Sequence, residues 1–171
     1  MKPILRFIAL MERLGLWLAI LSLVGLVVLG LTEMVLRTFF ETGLSISLEY
    51  SGYFVAIAFL GGSGWTLSQG GHIRVQILDG WLSDKWRRVV GLITGAIALV
   101  TATVLIVGLI TWTIGSFDRG TASFYPSATP LWWPQAFLSL AALILGLSLL
   151  GQLLRIWQGD KHAASGPEKT R

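Results

Sequence analysis

Long stretches without a charged residue are the feature that most limits what this chain can fold into. Four such stretches occur, with lengths of 19, 24, 29 and 35 residues, at positions 14–32, 50–73, 89–117 and 120–154. The hydrocarbon core of a bilayer is about 30 Å thick, and about 20 apolar residues of helix cross it. The sequence therefore predicts an all-α membrane protein with four transmembrane helices. Their expected bounds are about residues 14–36, 49–69, 89–115 and 131–155.

The composition excludes a soluble fold. Hydrophobic residues make up 54% of the chain and charged residues 13%, compared with about 25% charged residues in soluble domains. We expect a single membrane domain over residues 1–158, and a disordered cytoplasmic tail over residues 159–171, which is polar and contains Gly, Ser and Pro. The chain has no cysteine, so a disulfide framework, a thiolate nucleophile and a Cys-ligated metal are excluded.

The distribution of basic residues predicts the orientation in the membrane. Of 13 Lys and Arg residues, eleven lie in the segments 1–13, 74–88 and 155–171, which an even number of spans places on one side. Only Arg37 and Arg119 lie on the other side. Because short cytoplasmic loops retain Lys and Arg, we expect both termini and the middle connection in the cytoplasm of a bacterial inner-membrane protein. Basic groups at span ends fit a bilayer better than nucleic acid.

All eight tryptophans fall near predicted span ends, where an indole ring is half in lipid and half in water. We therefore expect them to be membrane-interface anchors. They are Trp17, Trp65, Trp81, Trp86, Trp112, Trp132, Trp133 and Trp157.

The two longer connections have different characters. In the middle connection, residues 72–88, apolar residues such as Ile73, Ile77 and Trp81 share one helical face, which predicts an amphipathic helix lying in the membrane surface. A strand there would leave its backbone unpaired. The connection over residues 118–130 is rich in turn-forming residues. The fourth helix can then begin at Pro130 or only at Pro134, since an internal proline removes a helical hydrogen bond.

Few ionisable residues are candidates for a functional site. Glu33 is the deepest that we find in a span, and Arg37 lies four residues later on the same helical face. We expect an ion pair between them, and the alternative is a proton or substrate site at Glu33. Glu49 opens the second span after Ser47, and it is expected either to stabilise the helix start or to contact another subunit. We expect no ionisable group at membrane depth that could do transport work.

The sequence shows no pattern for catalysis or for a cofactor. The two histidines, His72 and His162, lie outside the spans, where they cannot hold a haem inside the bundle. No nucleophile elbow, phosphate-binding loop or zinc spacing occurs. We therefore expect a protein that is not an enzyme and has no cofactor or metal of its own.

Small residues are spaced for close helix packing. The densest group includes Gly61 and Gly62, and two further pairs with small-xxx-small spacing are Gly91–Gly95 and Ala142–Gly146. Such spacing lets membrane helices approach closely, so packing within the bundle is the default interpretation. An unwound segment at Gly61 that binds Na⁺ is the alternative.

Three segments carry a resemblance to a known family. They are residues 49–53 (EYSGY), 59–62 (FLGG) and 71–75 (GHIRV). In order and spacing they resemble the DctQ-like small membrane subunit of tripartite ATP-independent periplasmic (TRAP) transporters. Because of this resemblance, His72 and Arg74 are also candidate structural or subunit-interface residues. Gln76 stands where the family pattern has Asp.

The resemblance implies partners and a role. It implies a large membrane permease that binds Na⁺ and solute, and a periplasmic binding protein that delivers the solute, expected to be an organic acid. The small subunit would be a scaffold for the large one. The alternative is a small transporter or channel that works alone as a homo-oligomer.

Overall fold

The computed structural model describes residues 2–68 and 84–157, and it places them in four α-helices joined by short connections. They are α1 (Lys2–Phe40), α2 (Ser47–Ser68), α3 (Asp84–Asp118) and α4 (Trp132–Trp157). Within these ranges there is no β-strand, only an isolated bridge between Ala122 and Pro130. The prediction of an all-α fold is confirmed.

Three of the four helices are long and apolar enough to cross a membrane, namely α1 over Ile4–Phe40, α3 over Arg88–Asp118 and α4 over Trp132–Trp157. Helix α2 has 22 residues, or about 33 Å at 1.5 Å per residue, but its Gly, Ser and Tyr residues dilute its apolar character. Its assignment as a fourth span stays a prediction. Most of the predicted interfacial helix falls on residues 69–83, outside the described residues, while residues 84–88 begin α3.

The helices form two hairpins, α1 with α2 and α3 with α4. We call the end with connections 41–46 and 119–131 the loop end, and the opposite end, with Lys2 and Trp157, the terminal end. In the first hairpin the backbones meet at glycines, since a Cβ on Gly15 would lie 2.7 Å from the carbonyl oxygen of Gly61. In the second, a Cβ on Gly95 would lie 2.8 Å from Leu153. The small residues therefore pack helices within the bundle.

Helix α4 lies at the centre of the bundle. It contacts all three other helices, and Ala141, Ala142 and Ile144 on it are almost fully buried. Helix α3 packs mainly on α4 and exposes most of its apolar side chains. The bundle is thus arranged around α4. Its outward faces are apolar surfaces suited to lipid or to a membrane partner.

The first residue of α4 differs from both positions that the sequence allowed. The helix begins at Trp132, while Pro130 belongs to the preceding connection, where it forms the bridge with Ala122. Pro134 is then the third helical residue. The first four N–H groups of a helix have no intrahelical acceptor, so a proline at that position costs no hydrogen bond.

Candidate functional site

The side chain of Glu33 links the end of α1 to the start of α2. Its Oε1 accepts a hydrogen bond from Nε of Arg37 at 2.5 Å, which is the i,i+4 ion pair. Its Oε2 accepts from the backbone N–H of Leu44 at 2.6 Å and from the hydroxyl of Ser47 at 2.8 Å. The Arg37 side chain is 72% exposed and that of Glu33 only 15%. All of these bonds lie inside the first hairpin, so Glu33 fixes the turn between its helices.

The side chain of Glu49 joins α2 to the connection between α3 and α4. The residue is 5% exposed, and its carboxylate accepts hydrogen bonds from the hydroxyl of Tyr53 at 2.8 Å and from that of Ser127. Ser47, the first residue of α2, donates its hydroxyl to Glu33. The Glu49 side chain is therefore occupied by its own chain at the loop end.

A chain of hydroxyls leads to Glu49. Thr129 donates to Ser127 at 3.0 Å, and Ser127 donates to Glu49. The hydroxyl of Tyr50 lies 3.0 Å from that of Thr129. Since each hydroxyl has one proton and that of Thr129 is already donated, Tyr50 must be the donor in its pair. All the hydrogen bonds in this chain thus point toward the carboxylate.

The connection over residues 119–131 is folded compactly over α2. Backbone hydrogen bonds join Ser123 to Thr129 at 2.9 Å and Leu131 to Thr121 at 3.0 Å. Gly120 has a φ of +58°, a left-handed conformation that glycine adopts without steric cost. With its backbone paired in this way, the connection holds Ser127 and Thr129 in place beside Glu49.

Glu12 is a buried acid that the sequence analysis missed. It is 5% exposed, and Ser148 and Arg155 of α4 and Ser68 of α2 are its polar neighbours. The two serine hydroxyls donate to the carbonyl oxygens of Ile144 and Trp65 on their own helices. Its neighbour Ser148 lies about two helical turns before Arg155 on α4, inside the uncharged stretch of that helix. Glu12 lies inside Ile4–Phe40, the part of α1 that is long and apolar enough to cross a membrane. That no ionisable group lies at membrane depth stays a prediction.

Helical spacing could have revealed Glu12. The buried residues Ile8, Glu12, Gly15 and Ala19 recur every three to four positions along α1, which places them on one face. Gly15 and Ile8 on this face contact Ile144 and Gly151 of α4. The acid lies between two tight helix contacts, so it cannot turn toward water as a flanking charge would.

The structure separates the two candidate glycines of α2. A Cβ on Gly61 would lie 2.9 Å from the carbonyl oxygen of Gly15, whereas a Cβ on Gly62 would lie 3.6 Å from the Cβ of Ala19. The close helix crossing is therefore at Gly61. Residues 61–64 are helical, so the alternative of an unwound Na⁺-binding segment is wrong. His72, Arg74 and Trp81 lie outside the described residues.

Most of the described tryptophans lie near the helix ends, whereas Trp17 lies well inside α1 (Lys2–Phe40). Trp17, Trp86, Trp112, Trp133 and Trp157 are exposed, and Trp65 and Trp132 are half-buried. Trp132 packs edge-on against Phe117 and stacks at an angle on Trp133. The exposed indoles are available to a membrane interface.

A groove of about 480 Å³ lies between α1, α2 and the start of α4. Its walls are mainly apolar, with Leu18, Phe54 and Phe137 among them, and its polar groups are hydroxyls such as those of Ser22 and Tyr50. It contains no carboxylate or basic side chain. In the part of the chain that the structure describes, no three His, Asp or Glu residues are grouped so that they could hold a metal ion.

Comparison with known proteins gives one match. The family described as "Tripartite ATP-independent periplasmic transporters, DctQ component" matches residues 26–159, more than three quarters of the 171-residue chain. Neither the curated proteins nor the solved structures gave a match. The matched region contains α2, α3, α4 and the C-terminal part of α1 from residue 26, and also the segment with His72 and Arg74. The chain therefore belongs to the DctQ component family of tripartite ATP-independent periplasmic transporters.

Proposed function

We propose that this chain is the small permease subunit of a TRAP-type secondary transporter, and that it acts as a scaffold for a large Na⁺-coupled permease subunit. The large subunit imports a solute, an organic acid by expectation, that a periplasmic binding protein delivers. Membership in the DctQ family makes the chain a transporter component of the inner membrane rather than an enzyme. Na⁺ belongs to the large subunit in this proposal.

The scaffold role is supported by the contacts of the acidic side chains in α1 and α2. Glu33 and Glu49 accept hydrogen bonds from their own chain, and Glu12 lies between Ser68 and Ser148. Ion-coupled carriers need ionisable groups that face a pathway. Glu33 and Glu49 instead join one segment of the bundle to another, which is what a scaffold requires.

We further propose that α2 is the fourth span and that the loop end faces the periplasm. The 22 residues of α2 supply about the length that the hydrocarbon core needs. Arg37 and Arg119 lie at the loop end, whereas the segments with the other eleven basic residues adjoin the terminal end. The bias of Lys and Arg toward the cytoplasm supports this orientation.

Co-purification with the large subunit tests the proposed role. The full chain carries an affinity tag and is expressed with and without the large permease subunit of its own transporter. We expect an equimolar complex that survives detergent extraction and washing. Recovery of this chain only as a homo-oligomer, with the large subunit in the unbound fraction, would contradict the proposal and favour a carrier that works alone.

A further inference from the structure

Helix α1 is longer than the hydrocarbon core of a bilayer. Its 39 residues extend about 60 Å at 1.5 Å per residue, whereas the core is about 30 Å thick. Glu33 marks the loop end of the span, since its carboxylate accepts the hydroxyl of Ser47, the first residue of α2. Arg13 lies 20 residues before Glu33, a distance of about 30 Å along the helix. Arg13 is therefore level with the opposite boundary of the core.

Arg13 belongs to an exposed strip on the outer face of α1. The strip consists of residues spaced three, four or seven positions apart, which places them on one helical face. The opposite face, with Ile8 and Gly15, packs against α2 and α4. We call the exposed residues the α1 strip, and its members are Arg6, Leu10, Arg13, Trp17, Val24 and Val28.

The chemistry of the α1 strip changes along the helix in the same order as that of a phospholipid. The guanidinium of Arg13 is level with the lipid phosphates at the boundary of the core. Trp17, which is 61% exposed, lies one turn nearer the bilayer centre, where an indole keeps its ring in lipid and its N–H among polar groups. Val24 and Val28 lie deeper, at the level of the acyl chains. A lipid along the strip thus meets a matching side chain at each depth.

The α1 strip carries two positive charges and no negative one. Within residues 2–68 and 84–157 the one ion pair is that of Glu33 with Arg37, so Arg6 and Arg13 have no carboxylate partner there. A charged side chain at the edge of the hydrocarbon needs a counter-charge or water, and the planar fork of a guanidinium fits a phosphate. Arg6 lies two turns farther out, where a second positive charge favours a headgroup with net negative charge over one that carries an ammonium.

We infer that the α1 strip binds an anionic phospholipid of the phosphatidylglycerol type. The phosphate lies on Arg13, the glycerol esters lie at Trp17, and the acyl chains follow the valines. This inference goes beyond the proposed scaffold function and needs from it only that the bundle spans the bilayer. It also accounts for the position of Trp17 well inside α1, because the helix extends past the membrane on the side of the terminal end.

Native mass spectrometry of the full chain in detergent tests the inference. The chain is titrated with palmitoyl-oleoyl phosphatidylglycerol or with phosphatidylcholine of the same acyl chains, and the Kd of the first bound lipid is measured for each. We expect the parent to bind phosphatidylglycerol more tightly. Arg13→Gln should raise the Kd for phosphatidylglycerol about fivefold and leave that for phosphatidylcholine nearly unchanged. Trp17→Phe removes an N–H that serves esters common to both lipids, so it should weaken both alike.

Arg119→Gln is the matched control, because Arg119 is exposed at the loop end and its substitution removes the same charge. Its Kd for phosphatidylglycerol should equal that of the parent. Arg13→Lys retains the charge and loses the fork, so it should keep the preference for phosphatidylglycerol with a raised Kd, and it decides the outcome where Arg13→Gln does not fold. Glycerol 3-phosphate, which presents the same anion free in solution, should not displace the lipid.

Four results would overturn the inference. They are equal affinity of the parent for the two lipids, equal losses in Arg13→Gln and Arg119→Gln, displacement of the lipid by glycerol 3-phosphate, and release of the first lipid when the chain forms a dimer or binds the large permease subunit. The last result would assign the α1 strip to a protein partner. Lipid binding is measured on this chain alone, so its failure is distinguished from failure of the scaffold role, which co-purification reports.

Discussion

At the scale of residues, hydroxyl groups determine what the acids of this bundle can do. A carboxylate away from water is costly unless hydrogen bonds replace its hydration. Glu49 receives Tyr53 directly and Ser127 as the last member of a hydroxyl chain. Since every proton in that chain points toward the carboxylate, the loss of one donor should weaken the loop end without leaving a charge wholly unpaired.

Tyr50→Phe tests this chain at its first donor. The substitution removes the hydrogen bond to Thr129, worth about 0.5–1.5 kcal/mol, and leaves Glu49 with its two donors. We expect the midpoint of thermal unfolding in detergent, followed by intrinsic fluorescence, to fall by about 2–4 °C per kcal/mol lost. Tyr125→Phe is the control, since Tyr125 is exposed in the same connection. Equal effects of the two substitutions would count against a structural role for the chain.

The sequence predicts the local part of this network and misses the rest. Glu33 and Arg37 are four residues apart, so helix geometry alone brings them together. Glu49 and Ser127 are 78 positions apart, and only the packing of the hairpins makes them neighbours. Glu12 is not among the residues that the sequence singles out, although its spacing from Ile8 and Gly15 places it on the packed face of α1.

At the scale of elements, the crossing of α1 and α2 depends on backbone contact. Gly15 and Gly61 face each other so closely that a Cβ on either would lie within 3.0 Å of the carbonyl oxygen of the other. Backbone atoms cannot move aside as a side chain can. The helices would have to separate to admit even a methyl group there, and dispersion contacts along the interface would be lost.

Gly61→Ala and Gly62→Ala are expected to have opposite consequences. Overpacking at Gly61 should cost about 1–3 kcal/mol of stability. At Gly62 the nearest atom, the Cβ of Ala19, would lie at an ordinary 3.6 Å, so the better helix propensity of alanine, up to about 1 kcal/mol, should leave stability unchanged or slightly raised. Thermal unfolding of both variants in the same detergent compares them. A larger loss for Gly62→Ala would place the crossing elsewhere.

Hydropathy predicts that the helices exist better than it predicts where they end. Helix α1 continues from Lys2 to Phe40, beyond the apolar run that identified it, because helix bounds follow backbone hydrogen bonds and not polarity. The start of α4 at Trp132 depends on the fold of the preceding connection, which holds Pro130 outside the helix. In α2 the small residues that allow close packing also lower the mean hydropathy, so hydropathy identifies this helix less clearly than the others.

At the scale of the whole molecule, the described residues form a bundle with its polar contacts inside and its apolar surfaces outside. Helix α4 contacts the other three helices on one side and exposes apolar side chains such as Leu140 and Leu143 on the other, while α3 presents apolar side chains along most of its length. Such a molecule is suited to a bilayer and to lateral contact with another membrane protein. Its orientation decides which end meets the periplasmic components.

Labelling of single cysteines tests the proposed orientation. Phe124 is fully exposed in the connection at the loop end, and Ala164 lies in the C-terminal segment. In intact cells, a membrane-impermeant maleimide should label Phe124→Cys and should label Ala164→Cys only after permeabilisation. The cysteine-free parent controls for background. The reverse pattern would place the loop end in the cytoplasm and contradict the orientation derived from the basic residues.

Solute uptake into proteoliposomes tests the central claim most directly. Vesicles contain this chain alone, the large permease subunit alone, or both, and the loaded periplasmic binding protein is outside with an inward Na⁺ gradient. The scaffold account predicts uptake only when both membrane subunits are present, because the carboxylates of Glu33 and Glu49 bind groups of their own chain. Na⁺-driven accumulation of solute by vesicles that contain only this chain would contradict the account.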